Sequence, residues 1–290
     1  MDYSNPKIPE GINYSREHPL KEFALLTFGI FGSIAVLIVI VSFFADRLAN
    51  HIPYRYESII PIDKLIGPTQ DGKMADYLQK LADKLVAQMD LPKNMKISVH
   101  YVDSDTVNAF ATLNGNVVFF RGLLGKLHSE NELAMVMAHE IAHVKYRHPI
   151  RSMGSGIVIG ILLSVAGIAV DSDIVTNLVS TSSSLTQLKF SRTHETEADR
   201  AAIKTVTRVY GHLNGTADLF EELEKQQSKH APPEFFNTHP DTDNRIEMIH
   251  QTEHQQGLPT DGPLTMLPKQ FSEWLNEGVK QDKPNKSFDK

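Results

Sequence analysis

The chain has 290 residues, a formal net charge of -6 and no cysteine. An acidic balance argues against nucleic acid as its main partner. The absence of cysteine excludes disulfides and leaves the compartment open.

Residues 1–22 read as a polar N-terminal tail. From Phe23 to Ala45 the chain runs 23 residues without a charge, enough for about 34 Å of helix against a hydrocarbon core of about 30 Å. This stretch, 23–45, reads as a transmembrane helix, with the lipid bilayer as its partner. A cleavable signal peptide fits less well, because the apolar core is too long and no A-x-A-like site precedes Asp46 and Arg47. Basic residues do not decide the orientation: Lys7, Arg16 and Lys21 before the span balance Arg47, Arg55 and Lys64 after it. The expectation is a single pass through a bacterial inner membrane, N-terminus inside, with the remainder of the chain on the periplasmic side.

Residues 46–69 read as a linker, and 70–254 as one catalytic domain. Tyr77, Leu78, Leu81, Leu85 and Met89 recur at helical spacing, and a strand is expected over Lys96 to Val102. Asn116 to Phe120 reads as a short strand. Its backbone could receive an extended peptide by strand addition, which makes Asn116, Val117, Val118 and Phe119 candidate substrate-binding residues. The same Val-Val-Phe-Phe run also suits a core strand buried on both faces.

Ser129-Glu130-Asn131-Glu132 is a capping-box pattern that opens a helix carrying Leu133, Val136, Met137, Ile141 and Val144, with Pro149 as its expected stop. On that helix lies His139-Glu140-Ile141-Ala142-His143. Two imidazoles at i and i+4 project from one face about one turn apart, so a single tetrahedral zinc ion can bridge them. Glu140, beside the pair, can act as the base that deprotonates the attacking water. A third ligand is still required. The metzincin pattern does not supply it, because Tyr146 and Pro149 stand where Gly and His would be needed. His148 is off the ligand face and reads as a cation near the helix C-terminus.

Gly154 to Val170 is a second apolar run, of 17 uncharged residues. Crossing a membrane there would separate the histidine pair from ligands further along the chain, so a buried or membrane-grazing hairpin is expected instead. Downstream, Ser191 or Thr193 can cap a helix on which Glu195 and Asp199 share a face while Glu197 points elsewhere. That phasing suits Glu195 as third zinc ligand and Asp199 as the carboxylate that accepts the free N–H of a ligating histidine. Residues 255–290 read as a polar tail in which only Phe271 to Leu275 looks like a docking turn.

In order, the chain reads HExxH at His139–His143, SRxxExxAD at Ser191–Asp199 and HPxxxxRI at His239–Ile246. In this it resembles HtpX-like and CaaX-prenyl-protease-like zinc metalloendopeptidases. A softer match joins Asn108-Ala109-Phe110-Ala111, Gly115 to Phe120 and Gly122-Leu123-Leu124 to the family's NAF segment, edge strand and GLL turn. The resemblance spans about residues 70 to 250. It implies an α+β, mainly helical, zincin-like domain with a small β-sheet and an edge strand, holding one Zn2+ per chain through His139, His143 and Glu195. Glu140 is then the base and Asp199 supports the metal site. His239 is implied as a stabiliser of the oxyanion on the scissile carbonyl, against a plain turn residue before Pro240. Arg245 pairs with a local acid. The implied activity is peptide-bond hydrolysis in misfolded or membrane-associated polypeptides. The alternatives are a catalytically silent zinc-binding chaperone or scaffold at the membrane, and a metal hydrolase of small molecules. Oligomeric state is not encoded in any motif.

Overall fold

The computed structural model describes residues 19–59, 66, 68–152, 189–227, 233–240 and 242–277. The expected hairpin at Gly154 to Val170 lies outside them. By internal contacts the chain divides into two units, Met1–Phe44 and Ala45–Lys290.

The first unit carries most of α1 (Pro19–His51), a helix longer than the span expected at 23–45. Its window Leu20–Leu37 is long and apolar enough to cross a membrane, and it is the one such helix among the described residues. Phe23, Phe28 and Phe31 stand exposed on it. Water does not stabilise such a surface, so the helix calls for an apolar environment. Within it, Ser33 returns its hydroxyl to the carbonyl of Gly29, which leaves no free donor there.

The second unit is mainly helical around one three-stranded sheet. After a 3-10 turn at Tyr54–Ile59 come α2 (Lys73–Val86), β1 (Ser98–Val102), β2 (Ala109–Ala111), β3 (Asn116–Phe120) and α3 (Arg121–Leu124). Then follow α4 (Glu130–Lys145), α5 (His148–Ser152), α6 (Arg192–Tyr210), α7 (Asp218–Gln227), α8 (Glu234–Thr238), α9 (Thr242–Gln256) and α10 (Phe271–Glu277). The expected periodicity in α2 buries Leu78, Leu81 and Leu85 against the core. Where a docking turn was expected, α10 inserts Phe271 edge-on to Tyr77 at 5.9 Å.

The sheet corrects the substrate-strand expectation. Its order is β1-β3-β2, so β3 lies in the middle. Its backbone is paired in parallel with β1 from Ser98–Asn116 to Val102–Phe120, and antiparallel with β2 through Val117, Val118 and Phe119. Asn116, Val117, Val118 and Phe119 therefore have no free edge to offer a peptide. The core-strand alternative holds, as the burial of residues 117–120 requires. Beside helix α4, the outermost strand is β2. Gly122, in the turn after β3, has no room for a side chain: a Cβ there would lie 2.2 Å from the Asp105 carbonyl oxygen.

Helix α4 runs through the centre, buried from Asn131 to Val144, and packs most extensively on α6. Its capping box forms as expected at Ser129, whose hydroxyl accepts from the Glu132 N–H at 3.2 Å. The Glu132 carboxylate reaches one residue further back and accepts from His128 N–H at 3.1 Å. Glu130 fixes the same end by accepting from Tyr77 at 2.9 Å and Tyr210 at 2.8 Å, which ties α2, α4 and α6 together.

The expected stop of α4 is displaced. The helix ends at Lys145, and Arg147, at φ 59, makes the turn, while Pro149 sits in the first turn of α5. A left-handed arginine costs about 1 kcal/mol or more. Its guanidinium is held in place by Glu57 at 2.7 Å. Glu57 is buried and also accepts from Asn114 N–H at 2.8 Å, so part of the stretch expected as a linker is built into the domain.

Candidate metal centre

Four helical elements converge on one buried group. Helix α4 presents His139, Glu140 and His143 within a turn and a half. Helix α6 is capped by Ser191, whose hydroxyl accepts from His194 N–H at 3.3 Å, and it presents Glu195 and Asp199 one and two turns in. His239 caps the C-terminal end of α8, and α9 brings Arg245.

His139, His143, Glu195 and His239 are the group that could hold an ion among the described residues, with one donor atom from each lying within 4.8 Å of the others. His139 Nε2 is 2.9 Å from His143 Nε2 and 3.4 Å from Glu195 Oε2. His143 Nε2 is 3.4 Å from Glu195 Oε1. The Nδ1 atom of His239 lies 3.2 Å from His139 Nε2 and 3.3 Å from Glu195 Oε1. Zinc ligands at about 2.0–2.1 Å in a tetrahedron stand about 3.3 Å from one another, so this donor set fits the ion. Charge fits as well. Glu140, Glu195 and Asp199 carry three formal negative charges, which Arg245 and one divalent cation would balance.

Around the donors, each side chain is held by a specific partner. His139 directs Nδ1 at Asp199 Oδ1, 2.8 Å away, the support expected for a ligating histidine. Arg245 is wholly buried and donates from Nε to Asp199 Oδ1 at 2.6 Å and from Nη2 to Glu195 Oε2 at 2.8 Å. Its acids are thus remote in sequence, and it bridges both functional carboxylates where a local pairing was expected. Phe235 stacks on His239 with ring centroids 4.8 Å apart, and Phe190 on His143 at 3.9 Å.

Glu140 is different. It is fully buried, and neither of its oxygens accepts a hydrogen bond among the described residues. His239 Nε2 approaches its Oε1 to 3.4 Å. Burying a carboxylate is costly, and a catalytic role is one reason for a protein to keep one there.

The field of the site separates its titratable groups. Burial and Arg245 oppose a charged His139, but the Asp199 and Glu195 carboxylates outweigh them and raise its pKa to about 9. Burial and the neighbouring His139 push His143 down to about 3. For Glu195, burial is overcome by His239 and His139, and its pKa falls well below the usual value. Asp199 is likewise lowered, with Arg245 and then His139 overcoming burial.

Two sequence expectations change here. His148 is not a helix-end cation: it is buried, its pKa pushed to about 2 by burial and then by His143, and its Nδ1 lies 2.8 Å from His143 Nδ1. His239 closes α8 and also faces the cluster, so the two readings of it are not exclusive: Nδ1 lies 3.3 Å from Glu195 Oε1 and Nε2 3.4 Å from Glu140 Oε1. Glu197 does point away from Glu195, toward His148 and Arg151. Phe190 and Phe235 were missed, since aromatic residues outside the motifs carry no signal of which ring they stack on.

The sequence profile of peptidase family M48 matches residues 72–253. Over 192 residues the chain is 31% identical to the beta-barrel assembly-enhancing protease of Yersinia pestis, across 61% of this chain and 38% of that protein. It is 30% identical over 190 residues to the beta-barrel assembly-enhancing protease of Escherichia coli (strain K12), across 61% of this chain and 38% of that protein. With the mitochondrial metalloendopeptidase OMA1 of Homo sapiens it shares 25% identity over 194 residues, across 62% and 37%. The chain spans about two-fifths of the length of these relatives.

Proposed function

The chain belongs to peptidase family M48, and on that premise we propose that it is a membrane-anchored zinc metalloendopeptidase that hydrolyses peptide bonds in misfolded or membrane-associated proteins. The observation that carries this reading is Glu140: a fully buried carboxylate beside a donor set of zinc dimensions, with the His239 imidazole 3.4 Å from its Oε1. His139, His143 and Glu195 would hold the ion, and Asp199 and Arg245 orient the first and last of these. Zinc, when bound, supplies positive charge that polarises a carbonyl and acidifies water.

Glu140 takes the proton of the attacking water and delivers it to the leaving amine nitrogen, so the carboxylate ends as it began. The fourth corner must be open to substrate for this to occur. His239 would have to leave the donor cluster for that, and its imidazole, 3.4 Å from Glu140 Oε1, would then stand within reach of the carbonyl oxygen that becomes negative. The extended substrate lies along β2, the outermost strand next to α4, whose neighbouring Asn108 is 3.4 Å from the Thr238 hydroxyl at the base of the site. The catalytic unit is assigned to residues 70–254.

One observation favours the silent zinc scaffold: His239 Nδ1 lies within the donor cluster, 3.2 Å from His139 Nε2, where it would take the position that water needs. Glu140→Gln in the zinc-loaded full chain separates the two. Casein cleavage should fall by at least about 100-fold with metal content unchanged, whereas equal cleavage by both proteins would end the protease reading. For localisation, α1 anchors the chain once in a bacterial inner membrane, with the enzyme on the periplasmic side. Cleavage of the domain by added protease in spheroplasts, with protection in intact cells, is the expected result, and protection in both would place the enzyme inside.

A further inference from the structure

The two histidines of α4 are supported differently. His139 has the carboxylate of Asp199 behind it, but the ring nitrogen of His143 that faces away from the donor cluster meets a third imidazole. We propose that His148 and Glu197 form a positioning relay that fixes the tautomer and ring plane of His143 for metal binding. This rests on the reading of His143 as a ligand.

The distances leave one consistent set of protons. A histidine can offer Nε2 to a cation only if that nitrogen is bare, so the proton of neutral His143 must sit on Nδ1. Nδ1 of His148, 2.8 Å away, is then the acceptor. The one remaining proton of His148 is on Nε2, which is 3.0 Å from Glu197 Oε2. A carboxylate only accepts, so Glu197 selects this tautomer of His148, and His148 in turn selects the metal-binding tautomer of His143. In the reverse order a bare His148 Nε2 would face the Glu197 carboxylate at 3.0 Å, acceptor against acceptor, and His143 Nε2 would turn its proton toward Glu195 Oε1 at 3.4 Å, where a bound ion would need a lone pair.

Packing fixes the relay in orientation. The His148 ring lies nearly parallel to that of His194, at 4.2 Å and 9°, and stacks on Tyr146 at 5.6 Å and 24°. It is brought under His143 by the left-handed turn at Arg147, the residue clamped by Glu57. A cost in backbone conformation is thus linked to the placement of one nitrogen. At its outer end the relay reaches water through Glu197, whose side chain is 44% exposed.

The test uses the full chain in detergent, with zinc affinity read by chelator competition and histidine tautomers read by nitrogen NMR of the metal-free protein. His148→Phe keeps a ring in the stack and removes the acceptor. Zinc affinity should fall by about 10–100-fold, as for other lost partners of ligating histidines, and the His143 signal should move from the Nδ1–H to the Nε2–H form. Glu197→Ala, at a half-exposed position, should weaken zinc by a smaller factor, about 3–10-fold, with an unchanged metal-free unfolding midpoint. If His148→Phe fails to fold, Glu197→Ala decides alone. Wild-type affinity and an unshifted His143 tautomer in the folded variants would overturn the relay. His143→Ala isolates the parent reading: should it bind zinc as tightly as wild type, His143 is no ligand, and the fault lies there.

Discussion

Arg245→Met tests whether the site is held together by one buried guanidinium. Methionine keeps much of the volume packed over Phe220, where the guanidinium carbon lies 4.9 Å from the ring centroid. It removes two charge-assisted hydrogen bonds, to Asp199 at 2.6 Å and Glu195 at 2.8 Å, and leaves both carboxylates without that countercharge. Hydrogen bonds to charged groups are worth about 1.5–3 kcal/mol each, and breaking a buried ion pair on one side costs about 3–5 kcal/mol. For a domain of this size 1 kcal/mol moves the midpoint by about 2–4 °C, so the metal-free variant should unfold about 6–20 °C below wild type. Differential scanning calorimetry of chelator-treated full chain measures it. Arg245→Met with Asp199→Asn should recover part of the loss, because the double variant no longer buries one of the orphaned charges. A midpoint within about 3 °C of wild type, or strictly additive effects, would refute the view that Arg245 compensates these two carboxylates.

In the metal-free protein, stability should peak near neutral pH. His139, raised to about 9, contributes stability that is complete below its unfolded value of 6.5 and is lost as pH climbs toward 9. His143 and His148, lowered to about 3 and about 2, stay neutral when folded, so below pH 6.5 the unfolded chain takes up protons that the folded one refuses. A midpoint that rises steadily from pH 6.5 down to 5 would contradict those assignments. Zinc binding has its own proton signature: at pH 7.5 the ion must displace the proton held by His139, so about one proton per zinc should appear in calorimetry across buffers of different ionisation enthalpy. Release of none would mean that His139 is already neutral.

Local patterns were legible because their physics is local. The capping box at Ser129, the i, i+4 histidines and the phasing of Glu195 with Asp199 all follow from helix periodicity, and the structure brings these residues together as that periodicity implies. Sheet order was not legible. Val117 to Phe120 is apolar enough for an edge or a centre, and only the chain path, with β1 returning parallel to β3 on one side and β2 antiparallel on the other, decides it. Arg245 escaped for a related reason: a charge in a motif advertises that it has a partner but not which, and its partners lie on another helix.

His148 is the sharpest case, because the error was geometric rather than chemical. Five residues after His143, an uninterrupted helix would carry its side chain off the ligand face, and a helix-end cation would follow. The helix instead stops at Lys145, and one left-handed residue, Arg147, folds the chain back so that His148 is buried against the histidine it was expected to leave. Pro149 forbids the helix from running on, but nothing in the residues 143–149 alone selects a left-handed turn, since arginine has no preference for positive φ. The arginine side chain is gripped there by Glu57 and by the Ile52 carbonyl, both far upstream and Glu57 in a stretch that reads as linker. The turn that brings His148 against His143 is thus tied to an ion pair between segments about 90 residues apart in sequence. Cutting that pair, by Glu57→Gln, should reach the zinc site only through the turn.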